Sequence, residues 1–170
     1  MSPSSRAMTA VVATLFVAAV SAQRPIVLMD SSGAMAARAF SDSTVLVTDK
    51  ASGVVAPASI VSIEGEGVRT ASGWATWSAG GSVLFTSPDC STGAFVYTHA
   101  SAGLRASAQV RTNDGVVLHV GAVGVPRTVD VRSILYDTGC SPVSVRQNGL
   151  VPVDLTIDLT TVYPPPLSFQ

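Results

Sequence analysis

Hydrophobic and polar residues alternate with a period of two in three stretches of this chain. Leu104, Ala106, Ala108 and Val110 alternate with Arg105, Ser107, Gln109 and Arg111, the spacing of a half-buried strand. Asn113-Asp114-Gly115 follows, and the chain resumes as Val116, Val117 and Leu118. Those turn residues tolerate positive φ, so the segment predicts a β-hairpin. Further on, Val129, Val131, Ser133 and Leu135 alternate with Asp130, Arg132, Ile134 and Tyr136. The early half of that strand should show one face to water. Val153, Leu155, Ile157 and Leu159 against Asp154, Thr156, Asp158 and Thr160 repeat the pattern more cleanly.

Short β-branched runs bounded by Gly, Ser, Pro, Asn and Asp fill the rest. Strands are expected at 26–29, 44–48, 59–63, 68–71, 82–86, 94–98, 104–112, 116–120, 128–136, 143–146 and 153–159. This is an all-β pattern, an antiparallel β-sandwich or a small β-barrel. Residues 32–41 (SGAMAARAFS) form the one stretch whose alanine content suits a helix; it reads equally as loop or strand. Residues 163–170 carry Pro164, Pro165 and Pro166. Prolines deny a central strand its donors, so these residues are expected as a proline-rich C-terminal tail, lying along the surface or leading away.

The first 22 residues follow a different pattern. A short segment ending at Arg6 precedes a fourteen-residue uncharged run, residues 7–20, and then Val20-Ser21-Ala22. Charge, apolar run and small residues in that order make a secretory signal, with cleavage expected between Ala22 and Gln23. The run is short of the roughly 20 apolar residues that cross a bilayer, so no membrane span is expected after cleavage. Residues 23–162 are then read as a single β-rich domain, secreted, periplasmic or held at a cell surface.

Composition narrows the partners. Removal of Arg6 with the signal leaves nine Arg plus Lys against eleven Asp plus Glu. The positive residues are scattered, a poor footprint for nucleic acid or for an anionic membrane. The only two cysteines, Cys90 and Cys140, are most simply joined in an exported chain. Their spacing lacks the close ligand pairs of a structural zinc site, and no metal site is assigned.

Candidate chemistry is sparse. Asp137-Thr138-Gly139 after Ile134-Leu135-Tyr136 matches the turn that presents an aspartic-protease carboxylate. Cys140 stands where Ser or Ala is usual, only 33 residues follow, and Asp30-Ser31-Ser32-Gly33 is not a second such turn. It therefore reads as a tight turn closing a strand. His99 and His119 are the available bases for a hydrolase, but no G-x-S-x-G elbow accompanies them. Structural calcium is the one cofactor considered, at Glu64-Gly65-Glu66 or beside Asp42, Asp49, Asp89 or Asp114. None of these matches a calcium-loop ladder, and no catalytic residue is assigned. Trp74 and Trp77 are the candidate binding residues, since indoles on a β scaffold stack on sugars or anchor partners. A spacing of three places them on opposite faces of a strand.

Residues 83–97 (VLFTSPDCSTGAFVY) carry an aromatic strand, a Ser/Asp turn with Cys90, then Thr92-Gly93 and a second aromatic strand. With Gly139-Cys140 and the late prolines, this phrase resembles uncharacterised secreted bacterial β modules. The resemblance implies a Cys90–Cys140 bond and a non-enzymatic role. Three functions follow in order. The first is a structural or protein-interaction module, with self-association through a sheet edge as one route. The second is a carbohydrate- or surface-glycan-binding domain using Trp74 and Trp77. The third is a small extracytoplasmic hydrolase.

Overall fold

The computed structural model describes residues 26–41, 43–62, 73–98 and 103–170. The signal segment and the strand expected at 68–71 lie outside them. Ten short strands come first: β1 (Val27–Met29), β2 (Met35–Ala39), β3 (Thr44–Thr48), β4 (Val55–Ser62), β5 (Trp74–Trp77), β6 (Val83–Phe85), β7 (Ala94–Tyr97), β8 (Ser107–Thr112), β9 (Gly115–Gly121) and β10 (Arg127–Tyr136). The long β11 (Gly139–Asp158), the one-turn α1 (Leu159–Val162) and β12 (Leu167–Phe169) complete the chain.

Six strands close into an antiparallel barrel in the order β1-β12-β5-β4-β3-β2. The other six form a second sheet, β10-β6-β7-β11-β9-β8, with an additional β10–β11 pairing. Within residues 32–41, Met35–Ala39 form strand: β2 pairs β1 on one side and β3 on the other. Its alanines Ala36 and Ala37 are buried, so sheet pairing and packing override alanine's helix preference. The last eight residues are not a tail. β12 pairs with both β1 and β5, closing the barrel, and Leu167 is fully buried. The prolines lie just before β12 and leave its donors intact.

The barrel mixes small and large side chains. Ala37, Ala56, Ala58 and Ala75 leave room for Leu28, Val45, Val47, Ile60 and Trp77 in one buried cluster. That cluster continues into the second sheet through Val116, Leu118 and Val120 of β9 and Ile157 of β11. Two smaller clusters lie within the second sheet, one around Val83, Val96, Val110 and Val151, the other around Leu84, Val131 and Leu150. β11 reaches all of this because it bends. Its first part pairs β10, residues 150–152 pair β7, and residues 153–158 pair β9.

A disulfide joins Cys90 to Cys140, with Cα atoms 6.0 Å apart. It ties the β6–β7 loop to the β10–β11 turn. Ser133, fully buried, reinforces the tie: its hydroxyl donates to the Ser87 carbonyl at 2.6 Å and accepts from the Cys90 N–H at 3.0 Å. The β8–β9 hairpin forms where Asn113-Asp114-Gly115 places it, with Thr112 opposite Gly115. Gly115 has φ of +151°, and a Cβ there would lie 2.4 Å from Thr160 Oγ1.

Candidate functional site

The barrel and the second sheet are joined by the polar side of β8. Ser107 Oγ donates to the Pro57 carbonyl of β4 at 2.6 Å. Two residues on, the Gln109 carboxamide reaches the same edge of β4. Its Oε1 accepts the Ser59 N–H, and its Nε2 donates to the carbonyls of Ser59 at 3.1 Å and Ser78 at 3.0 Å. Gln109 thus stands in for a strand's peptide group where β4 and β5 part. Pro57 suits the same edge: its carbonyl faces β8, so its missing N–H takes no bond from β3.

Beside this joint lies a cleft of about 590 Å³. One wall is Thr44, Pro57 and Ser59 of the barrel; the other is Tyr97, Leu104, Arg105 and Ser107. The segment 78–82 crosses its floor, where the Gly81 N–H donates to the Gln109 carbonyl at 2.8 Å. A Cβ on Gly81 would stand 2.7 Å from that carbonyl oxygen, so the crossing requires glycine. Phe40 (58 % exposed) and Tyr97 (38 %) present aromatic surface to the cleft. Arg105 is the charged residue among the described lining. Its guanidinium is held by the Gly121 carbonyl at 2.8 Å and 2.6 Å and by Asp154.

From Gly121 the chain enters the β9–β10 loop, 122–126. The loop is anchored at its root by a bond from the Ala122 N–H to the Pro152 carbonyl at 2.7 Å. Val123 and Val125 are 86 % and 87 % exposed, far beyond the other large hydrophobics of the described surface. Composition could not single out this loop, because two valines among so many carry no signal of their own.

The two tryptophans part company. Both belong to β5, but Trp77 is 1 % exposed and Trp74 45 %. Trp77 Nε1 donates to the Tyr163 carbonyl at 2.9 Å, and the two rings lie 6.4 Å apart. Tyr163 Oη in turn donates to the Thr48 carbonyl at 2.5 Å. Trp77 is therefore a core side chain that holds the barrel to the segment before β12. Trp74 stands on the outer face opposite Ser168, and the pair forms no shared platform.

The remaining candidates fall in scattered places. His99, Asp42, Glu64 and Glu66 lie outside the described residues. His119 sits within β9 opposite Ala108 and Thr156, where burial pushes its pKa down. Asp137 caps an exposed edge by accepting the Arg111 N–H at 2.7 Å. Asp49 and Asp89 hold their own turns: Asp49 accepts from Ser52 and Asp89 from Ser91, and these bonds lower both carboxyls. Among the described residues no group of three or more His, Cys, Asp or Glu is placed to hold a metal ion. No described helix is long and apolar enough to cross a membrane.

Asp30 is the buried carboxylate, 5 % exposed. Burial raises its pKa, but bonds from the Ser32 hydroxyl and the N–H groups of Ala34 and Ser32, with the charge of Lys50, outweigh it and leave it lowered. Asp30 is thus a structural turn former. Comparison with models of known protein families, with curated proteins and with solved structures finds no match.

Proposed function

We propose that this chain is an extracytoplasmic protein-interaction module that engages a partner protein through the 122–126 loop. The observation that carries the reading is the exposure of Val123 and Val125, 86 % and 87 %, on an anchored loop. Apolar side chains held out from a rigid frame lose little conformational freedom on binding. Burying both in a partner's pocket contributes about 1.5–3 kcal/mol each, enough to form the centre of an interface. The disulfide and the signal-like order of residues 1–22 support a site of action outside the cytoplasm. The resemblance to secreted β modules agrees with a non-enzymatic role.

The sheet edge is a weaker route to association. β8 ends the second sheet, yet its outward Gln109 carbonyl accepts from Gly81 and its Arg111 N–H donates to Asp137. An added strand would have to displace both bonds. The test is site-specific photo-crosslinking of the exported protein in its own cells, with the reactive group at position 123, 125 or 114. Positions 123 and 125 should trap a defined protein, a second copy included, while 114, at the far end of β9, should not. Equal trapping at all three positions, or none at 123 and 125, refutes the reading.

A further inference from the structure

We infer that the cleft between the barrel and the second sheet is a binding site for a neutral saccharide. The inference is independent of the loop and its protein partner. A volume of about 590 Å³ falls in the range of small-ligand clefts, roughly 300–1,000 Å³. The cleft is preformed, since Gln109, Ser107 and Gly81 are bonded across the joint that makes its floor.

The lining chemistry selects the ligand class. Phe40 and Tyr97 line the cleft and are exposed, and aromatic rings suit the flat C–H face of a pyranose ring. The Phe40 N–H is bonded to the Thr44 carbonyl at 3.0 Å, and the residue after Tyr97 to the Gly149 carbonyl at 2.9 Å; both rings therefore stand on fixed backbone. Thr44, Ser59 and Ser82 also line the cleft; their hydroxyls make no bond to any other described residue, and each can donate and accept. Arg105 is the charge in the described lining, and Asp154 pairs it. A neutral ligand follows, because an acidic one would have to compete with that carboxylate.

An extended peptide is the rival ligand, and the backbone argues against it. Peptides that add to a sheet take an unpaired strand edge. The β8 edge beside the cleft is already bonded at Gln109 and Arg111. What the cleft presents is side-chain hydroxyl and aromatic surface, the complement of a polyhydroxylated ring.

The test is a titration of the isotopically labelled protein followed by amide NMR. The probes are maltose, cellobiose, lactose and N,N′-diacetylchitobiose, with digalacturonic acid as an acidic comparison and an acetylated Ala-Val-Ala-Val amide as the peptide arm. At least one neutral disaccharide should saturate with a Kd on the order of 1 mM, with shifts centred on Gly80, Gly81, Ser82 and Tyr97. Phe40→Ala and Tyr97→Ala should each weaken binding roughly 3- to 10-fold with a native spectrum retained, as both rings are exposed. Asp114→Ser, at the far end of β9 from the cleft, should leave it unchanged. The inference is overturned by failure of every neutral disaccharide to saturate, by shifts mapping elsewhere, by insensitivity to both aromatic substitutions, or by binding of the acidic probe or the peptide alone.

Discussion

Replacing Gln109 with alanine should loosen the joint between the barrel and the second sheet. The carboxamide is 7 % exposed and makes three bonds: one from the Ser59 N–H, one to the Ser59 carbonyl and one to the Ser78 carbonyl. Truncation leaves the Ser59 N–H and the Ser78 carbonyl without these partners, whereas the Ser59 carbonyl keeps the Ser78 N–H at 3.0 Å. A buried group orphaned in this way costs about 1–3 kcal/mol. The neighbouring cleft admits water, so the lower half of that range applies to each of the two groups, and the total is about 2–4 kcal/mol. With a urea m-value of about 2 kcal/mol/M, the unfolding midpoint should fall by about 1–2 M. Gln109→Glu sharpens the test. An ionised carboxylate accepts but cannot donate, so at neutral pH it should face the two carbonyls unfavourably. Below its ordinary pKa of about 4.3 the protonated acid regains a donor, and the deficit relative to the parent should shrink. An unfolding free energy for Gln109→Ala within about 0.5 kcal/mol of the parent would refute the peptide-surrogate role. So would Gln109→Glu with parental stability at pH 7.

Reduction of the Cys90–Cys140 bond, which spans 50 residues of sequence, should cost roughly 4 kcal/mol on the chain-entropy account; urea melts with and without reductant measure it, and a change under about 1 kcal/mol contradicts that account. Burial pushes the folded pKa of His119 below its ordinary value of 6.5. Its contribution to stability is therefore full above about pH 6.5 and is lost as pH falls through the lower folded value; His119→Gln should remove that step from the pH-stability profile. Asp30 is lowered from 3.8, so its contribution is present above pH 3.8 and lost as pH falls below it, and Asp30→Asn should flatten the acid limb. Gly115→Ala should destabilise by about 1–3 kcal/mol through its clash with Thr160. Thr160→Ala in the same chain should recover part of that loss, and a purely additive pair of effects contradicts the clash.

Legibility followed the range of the interaction. The β8–β9 hairpin and the strands at 44–48 and 128–136 were visible because alternation and turn chemistry are local. The disulfide was readable because only two cysteines existed to pair. The 32–41 stretch stayed ambiguous, since alanine suits several structures until neighbours pair with it, and β1 and β3 are what make it a strand. Residues 163–170 are illegible for a related reason. Three prolines announce local unsuitability for a sheet, but the pairing of Leu167 and Ser168 with β5 depends on residues some ninety positions away.

The candidate site divides in the same way. That Trp74 and Trp77 point to opposite faces follows from strand geometry; that the Trp77 side is the sealed interior depends on barrel closure and Tyr163. The alternation of Arg105, Ser107, Gln109 and Arg111 marks a polar face without saying what meets it. An antiparallel all-β chain and a pairing of its two cysteines are legible in the residues alone, because periods, turns and cysteine count are properties of neighbouring residues or of composition. That the polar face of β8 is a joint rather than a wet surface, that a cleft opens beside it, and that Val123 and Val125 stand clear of the core emerge with the folded arrangement. Each of those depends on how two sheets distant in sequence are set against one another, and no local pattern encodes that placement.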